Sequence, residues 1–190
     1  MTSTEAVRMG NSDFRFFSQS HPDWCGVAAV RSVLASQFKQ QKSEKEILQR
    51  IYRFYQKKSE KSPKEVFTQK GTSPAAMAYC FRRLVNPKAR IFCSKNGNVK
   101  ILKYLLENFQ TMPVVHQMVS ERGKKREGHY LIFAGAKRNK VKIFDPGSEG
   151  GWKEYSIKEF QRKWKNKDER WFMITLPPEV NLNCLSGKYI

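Results

Sequence analysis

Cys25 is the residue whose type and position best suit covalent chemistry in this sequence. It stands just before apolar residues that recur at helical spacing, namely Val27, Val30, Leu34 and Phe38. Pro22 and Asp23 predict a turn into this helix, with Asp23 as its cap. The amides of a first helical turn and the positive end of the helix dipole favour a thiolate. Cys25 is therefore a candidate nucleophile, and the alternative interpretation is a small buried core cysteine.

A candidate base and a group to orient it occur more than a hundred residues later. His129 opens the apolar run 129–135, and Asp145 closes the run 141–145. Both runs are rich in β-branched and aromatic residues, which predicts an antiparallel hairpin. If the pairing is centred near Lys137, His129 and Asp145 face each other with Cβ atoms about 4.5–5.5 Å apart. A slip of one residue would turn one side chain to the other face.

A nucleophile, a base and an orienting acid are the parts of an acyl-transfer triad. The motifs that could belong to a protein with such a triad are Gln19, residues 25–29, residues 128–130, residues 145–147 and residues 155–164. As a set, and in this order, they resemble the papain-like cysteine peptidases. Among these they are most similar to the leader-processing peptidase domain of bacterial peptide (bacteriocin) exporters. The similarity extends from about Phe16 to Trp164.

The resemblance implies a role for each matched residue and a class of substrate. Cys25 would be the nucleophile, His129 the base and Asp145 the residue that fixes the imidazole tautomer. Gln19 would donate a side-chain N–H to the oxyanion hole, and losing one such donor raises the barrier by about 2.7–4 kcal/mol. The substrate would be a peptide or protein that is cut after small residues such as Gly-Gly.

The two other histidines are weaker candidates for the base. His21 lies four residues before Cys25 in the entry turn, but no acid follows it at the spacing that separates His129 from Asp145. His116 lies inside a predicted strand and is interpreted as a core or edge residue. We therefore favour His129 as the base.

Composition indicates one domain with free thiols. The chain has 190 residues, of which 39% are hydrophobic, enough for a single core. Its four cysteines form no Cys-x-x-Cys motif or Cys/His cluster, so we predict no metal ion and no cofactor. No signal peptide or transmembrane segment is visible, which favours a cytoplasmic location. Delivery to another compartment by a non-classical route stays open.

The charge is strongly positive. The 36 Lys and Arg residues against 17 Asp and Glu give a formal net charge of +19. This excess raises the question of nucleic acid, but no nucleic-acid-binding motif accompanies it. The basic residues are spread along the chain and predict a solvated basic surface to which an acidic partner could bind.

The predicted elements place helices in the first half and strands mainly in the second. The helices are the one after Cys25, then 44–55, 74–84, one after Asn98, and 157–164. The strands cover residues 89–93, 114–119, the hairpin, and 171–176, whereas residues 57–64 are a charged break. This is an α+β, papain-like arrangement in which the nucleophile helix packs against an antiparallel sheet. The site would then lie in a cleft between the two halves.

Three functions stay open at this point. The first is a cysteine endopeptidase of the leader-processing type. The second is the same triad used for deamidation or transamidation of a protein target. The third is a basic, non-catalytic binding domain on this scaffold. We predict a flexible lead-in at residues 1–13, a single domain at 14–176 and a C-terminal tail at 177–190.

Overall fold

The fold is described by a computed structural model that covers residues 4–9, 12–58, 62–85, 90–119, 127–149, 151–165, 169–176 and 188–189. The chain divides into two units, Met1–Ala89 and Arg90–Ile190. Helices predominate in the first unit and strands in the second, as the α+β prediction requires. Among the described residues, none of the helices has the length and apolar character needed to span a membrane.

The first unit contains a two-stranded sheet and four helices. Its elements are β1 (Thr4–Met9), β2 (Ser12–Phe17), α1 (Cys25–Gln37), α2 (Glu44–Gln56), α3 (Pro63–Lys70) and α4 (Pro74–Leu84). Helix α1 is largely buried, and its Ser32 and Ser36 hydroxyls accept hydrogen bonds from the backbone N–H groups of Phe17 and Arg15. Two buried hydroxyls thus find partners on β2, which fixes the strand against the helix that carries Cys25.

Three local features of this unit differ from the sequence prediction. Helix α3 begins inside the predicted charged break, because Ser62 and Glu65 form a capping box and Pro63 occupies the first helical turn. Asp23 is not the cap of α1: Trp24 takes that position without a side-chain hydrogen bond. Within the predicted lead-in, Thr4–Met9 forms β1, which pairs antiparallel with β2. The predicted boundaries at residues 14 and 176 stay predictions.

The second unit contains a seven-stranded antiparallel sheet and two helices. Its elements are β3 (Arg90–Ser94), α5 (Val99–Phe109), β4 (Val114–Val119), β5 (Glu127–Lys137), β6 (Lys140–Phe144), β7 (Trp152–Ser156), α6 (Ile157–Trp164), β8 (Phe172–Leu176) and β9 (Lys188–Tyr189). The strand order is β7-β6-β5-β4-β8-β3-β9. The predicted helices and strands of this unit are confirmed, including the Asn98 cap of α5. Strand β7 was not predicted.

The helices of the second unit pack on the sheet through large apolar side chains. Phe160 and Trp164 of α6 are almost fully buried, and the Trp164 indole N–H donates to the Trp171 carbonyl at 2.7 Å. Phe160 and Trp164 are therefore part of the core of this unit. Helix α6 also contacts β6, and the candidate acid Asp145 directly follows that strand.

Gly26, directly after Cys25, lies against Thr72 in the loop between α3 and α4. A Cβ atom built on Gly26 would lie 2.5 Å from Thr72 Cβ and 2.8 Å from its Oγ1, and Thr72 is itself buried. No side chain larger than hydrogen fits there without movement of the loop. The Cys-Gly pair is therefore explained by packing at the start of α1.

We expect Gly26→Ala to lower the free energy of unfolding by about 1–3 kcal/mol through overpacking against Thr72. The gain of about 0.5–1 kcal/mol that alanine brings to a helix is smaller than this cost. Urea denaturation measures the change. The Thr72→Gly background is the control, because it removes the side chain that the new methyl group meets. An equal loss in both backgrounds would contradict the steric explanation.

Candidate active site

Cys25 is the first residue of α1 and is 8% exposed. The first α-helical bond of this segment runs from the Ala28 N–H to the Trp24 carbonyl at 2.9 Å. The amides that precede Ala28 therefore belong to the first helical turn, where backbone N–H groups have no intrahelical acceptor. The predicted placement of Cys25 in the first turn of a helix is confirmed.

Gln19 lies in the loop that leads to Cys25. Its side-chain Nε2 donates to the Pro22 carbonyl at 2.5 Å, and its Oε1 is buried without a hydrogen-bond partner among the described residues. The next residue, Ser20, is tied to Glu44 at the start of α2. The Ser20 N–H and hydroxyl donate to the two oxygens of Glu44, at 3.2 and 2.5 Å.

Glu44 thus holds the backbone beside Gln19. Its carboxylate is only 9% exposed and lies in the first turn of α2, where a negative charge is stabilised. One N–H of the Gln19 amide is used by Pro22, and an amide nitrogen carries two. The role of Gln19 as an oxyanion donor stays a prediction.

His129 and Asp145 are in direct contact in the second unit. The imidazole Nε2 and the carboxylate Oδ1 are 2.6 Å apart, and the side chains are 20% and 10% exposed. The hydrogen bond expected between these two residues is therefore present in the structure. It is short and largely shielded from water, which strengthens a charge-assisted bond.

The register of the β5–β6 hairpin differs from the predicted one. Lys137 pairs with Lys140 across a two-residue turn, so the pairing is not centred near Lys137. A bulge between Phe133 and Gly135 then shifts the register, and beyond it Ile132 pairs with Phe144. The predicted placement of residues 129 and 145 directly opposite each other is therefore wrong.

The bulge nevertheless brings the two side chains to one face of the sheet. Extending the shifted register by one residue places Leu131 across from Asp145, and His129 lies two residues from Leu131 on the same face. Without the bulge, Ile132 would lie across from Asp145, and His129 would point to the opposite face. His129 and Asp145 are thus diagonal neighbours across the strand pair, at a separation that long side chains can bridge.

The turn after β6 holds the Asp145 backbone and one carboxylate oxygen. The Gly147 N–H donates to Oδ1 at 3.0 Å, so this oxygen serves both Gly147 and His129. The Asp145 N–H donates to the Gly151 carbonyl at 2.7 Å, and the Ser148 N–H donates to the Asp145 carbonyl at 3.2 Å. The Asp-Pro-Gly motif is therefore a turn that presents the carboxylate to the imidazole.

Lys153 is a partner of Asp145 that the sequence analysis missed. Its Nζ donates to Asp145 Oδ2 at 2.6 Å. Burial by itself would raise the pKa of Asp145, but the hydrogen bonds and charges of His129 and Lys153 outweigh it and lower that pKa to about 2. The carboxylate is thus ionised throughout the pH range in which His129 would act as a base.

The other histidines occupy different environments. His116 pairs with Tyr130 and therefore lies on the sheet face opposite to that of His129. Burial lowers the pKa of His116, and the charge of His129 lowers it further. Its ring occupies the space where a Cβ on Gly128 would lie, which explains the glycine in the Gly-His-Tyr motif. His21 is exposed and stacks on Trp24.

The four predicted site residues are therefore divided between the two units, with two residues in each. Gln19 and Cys25 belong to the first unit, and His129 and Asp145 belong to the second. The contact between the sulfur and the imidazole stays a prediction. Of the remaining cysteines, Cys80 and Cys93 are buried, and burial raises the pKa of the Cys80 thiol to about 12. Cys184 lies outside the described residues.

Comparison with known proteins identifies the family. The sequence profile of the Peptidase C39-like family matches residues 11–170. This chain belongs to the Peptidase C39-like family. No curated protein matches the sequence. The similarity to leader-processing peptidases is thereby confirmed, and family membership supports a peptidase.

Solved structures of this family share the fold at low sequence identity. The peptidase domain of Streptococcus ComA, a bifunctional ABC transporter of a quorum-sensing pathway, is 18% identical, with a TM-score of 0.59 over 84% of this chain and 96% of that one. A C39-like peptidase from Bacillus anthracis is 12% identical, with a TM-score of 0.60 over 91% and 98%. A double-glycine-motif protease from an AMS/PCAT transporter, solved with its leader peptide, is 17% identical, with a TM-score of 0.50 over 93% and 99%. The predicted papain-like α+β fold is confirmed.

We expect Asp145 to make stability depend on pH in the acid range. Its pKa of about 2 lies below the ordinary value of 3.8, so its contribution is present above about pH 4 and is lost as the pH falls through 2. The shift corresponds to about 2 kcal/mol of unfolding free energy. The difference in stability between wild type and Asp145→Asn should therefore shrink by about this amount from pH 6 to pH 2.

Urea denaturation at both pH values measures this difference. Glu154→Gln is the matched control, because Glu154 is an exposed carboxylate that pairs with Lys140 at 3.4 Å in the same sheet. An exposed ion pair contributes little to stability, so the unfolding free energy of Glu154→Gln should change with pH as that of the wild type does. A difference for Asp145→Asn that does not change with pH would contradict the low pKa.

Proposed function

We propose that this chain is a cysteine peptidase that hydrolyses peptide bonds with Cys25 as nucleophile, His129 as base and Asp145 as orienting acid. The observation that supports this most directly is the 2.6 Å contact between His129 Nε2 and Asp145 Oδ1 in a member of a peptidase family. A buried imidazole–carboxylate pair is the base half of an acyl-transfer triad. The buried Cys25 at a helix N-terminus supplies the other half.

The contact fixes which ring nitrogen would work on the sulfur. An ionised carboxylate only accepts hydrogen bonds, so Asp145 requires the proton of His129 to be on Nε2. Nδ1 is then the nitrogen that takes the proton from the Cys25 thiol. This produces the thiolate–imidazolium pair that starts the reaction.

The reaction then proceeds through an acyl enzyme. The thiolate attacks the peptide carbonyl carbon, and the carbonyl oxygen takes up the negative charge. The Cys25 backbone N–H and the second N–H of the Gln19 amide would donate to that oxyanion. His129 Nδ1 returns its proton to the leaving amine as the C–N bond breaks, and water then releases the acyl group from sulfur with His129 as base.

The substrate class follows from the family and from one solved structure. A double-glycine-motif protease of similar fold binds a leader peptide. By similarity we propose that this chain cuts a peptide after small residues such as Gly-Gly. The basic surface, with its formal charge of +19, would attract an acidic substrate or partner. A cytoplasmic location stays a prediction, and a nucleic-acid partner stays open without a motif that supports it.

Deamidation and transamidation would use the same thioester intermediate. Both reactions differ from peptide hydrolysis in the carbonyl that reaches Cys25, which belongs to a glutamine side chain and not to the backbone. A measurement of products therefore decides between them.

The proposal predicts peptide cleavage that depends on Cys25. Incubation with a peptide library that includes Gly-Gly sequences should give new C-termini after small residues, as identified by mass spectrometry. Cys25→Ala should lower the cleavage rate by about 10³-fold or more, since the covalent route is removed. Cys80→Ala is the control, because the Cys80 thiol is fully buried in α4.

Equal cleavage by wild type and Cys25→Ala would reject the proposed nucleophile. Mass shifts of about 1 Da at glutamine, dependent on Cys25 and without chain cleavage, would instead establish the deamidase alternative. Absence of both products, together with binding to polyanions that weakens steeply with salt, would favour the non-catalytic binding domain.

Alkylation tests the nucleophile without any substrate. At pH 7 iodoacetamide should label Cys25 at least about tenfold faster than Cys80 or Cys93, because the thiolate is the reacting species. His129→Ala should slow the labelling of Cys25 and leave the two other rates unchanged. Peptide mapping by mass spectrometry gives each rate. Equal rates at Cys25, Cys80 and Cys93 in the wild type would count against an activated thiol.

A further inference from the structure

Lys153 completes a row of three ionisable side chains across neighbouring strands. His129 lies on β5, Asp145 directly follows β6, and Lys153 lies on β7. Lys153 pairs in register with Ile143, which is two residues from Asp145 and therefore on the same face. The row thus follows from the pairing of β5, β6 and β7, and Lys153 approaches the carboxylate from the side opposite to the imidazole.

The two oxygens of Asp145 have separate partners. Oδ1 accepts from His129 and from the Gly147 N–H, whereas the ion pair with Lys153 is made by Oδ2 at 2.6 Å. A buried ionised carboxylate is costly unless its oxygens are hydrogen-bonded or paired. The Lys153 ammonium therefore pairs with Oδ2, the carboxylate oxygen that does not contact His129.

This ion pair differs from the other Lys–carboxylate pairs of the same unit. Lys140–Glu154 and Lys95–Glu169 join side chains that are about half to three-quarters exposed. Exposed pairs of that kind contribute little. The Asp145 side chain is only 10% exposed, so its interaction with Lys153 is screened less. Lys153 itself is 38% exposed, which limits the expected effect to a moderate one.

We propose that Lys153 is a positioning residue for the peptidase reaction: its ammonium group holds the Asp145 carboxylate ionised and turned so that Oδ1 faces His129 Nε2. The inference rests on the proposed function for its catalytic consequence. Lys153 does not touch the substrate or the sulfur in this scheme. It acts through Asp145, which in turn keeps the His129 proton on Nε2 and leaves Nδ1 as the nitrogen that would accept a proton.

The charged and titratable groups around Asp145 set the sign of the effect. His129 faces it from β5, Lys153 and Tyr155 face it from β7, and Glu159 of α6 lies beyond Tyr155. Burial raises the pKa of Tyr155, Lys153 opposes that rise, and the Asp145 and Glu159 carboxylates add to it. Tyr155 is therefore neutral at working pH, and Lys153 is the positive charge that supports the carboxylate together with His129.

Removing the ammonium should therefore raise the pKa of Asp145, because burial is then opposed only by His129 and the Gly147 N–H. Oδ2 would also lose the partner that holds the orientation of the carboxylate. The imidazole would be oriented less well throughout the pH range of activity, so kcat should fall. An effect on kcat without an effect on KM is expected, because no substrate contact is lost.

The test compares three variants over the pH range of activity. Lys153→Met keeps the length of the side chain without its charge, and Lys153→Arg keeps the charge. Lys140→Met, which removes an exposed lysine of the adjacent strand β6, is the matched control. For Lys153→Met we expect kcat to fall about tenfold at unchanged KM across the pH range of activity. Lys153→Arg should recover most of the lost kcat, and Lys140→Met should leave both quantities unchanged.

Two outcomes would overturn the role of Lys153. One is a kcat of Lys153→Met that matches that of Lys140→Met. The other is an equal loss of kcat in Lys153→Met and Lys153→Arg with no shift in the acid titration of Asp145, which would indicate a packing role instead.

A second readout separates this inference from the proposed function. NMR of the ¹⁵N-labelled imidazole of His129 reports the acid titration of its Asp145 neighbour, whether or not the protein cleaves peptides. This acid inflection should lie at a higher pH in Lys153→Met than in wild type and Lys153→Arg. Failure of hydrolysis in wild type, with the inflection moved as expected, would reject the peptidase and leave the Lys153–Asp145 coupling in place. Hydrolysis with an unmoved inflection would reject Lys153 alone.

Discussion

The register of the β5–β6 hairpin is the constraint on which the contact between His129 and Asp145 depends. A strand alternates its side chains between two faces, so one extra residue decides whether His129 and Asp145 share a face. The bulge between Phe133 and Gly135 supplies that residue. Every later contact, from the Gly147 N–H to the ammonium of Lys153, presupposes that the carboxylate is already on the imidazole's side of the sheet.

Much of the fold could be predicted because its signals are local. Serine and asparagine caps, and Pro74 in the first turn of α4, mark helix starts that can be recognised from the local sequence alone. The bulge also has a local signal, since Gly135 interrupts an apolar strand and adopts φ +144°. The prediction of a regular hairpin did not use that glycine. The result was a correct contact derived from an incorrect register.

The residues that escaped prediction act through contacts distant in sequence or through charge. Lys153 belongs to a run of basic residues that composition assigns to a solvated surface, and only the pairing of β7 with β6 brings it to Asp145. Glu44 likewise looks like an ordinary first-turn acid of α2, yet it accepts two hydrogen bonds from Ser20. Helix α3 was missed for a different reason, because its charged residues obscured the capping box at Ser62.

Physical environment, rather than motif order, distinguishes the proposed base among the three histidines. His21 also has an acid nearby, but its Nδ1 lies 3.8 Å from Asp23 Oδ2 and both side chains are more than half exposed. Water and salt screen such a pair, and it gives the imidazole no fixed tautomer. His116 is half-buried, and this burial lowers its pKa, so its protonation is costly. Only His129 combines a 2.6 Å contact with a carboxylate that is buried, ionised and held on its other side by a cation. That combination lets an imidazole gain and lose a proton at one nitrogen while the other stays fixed.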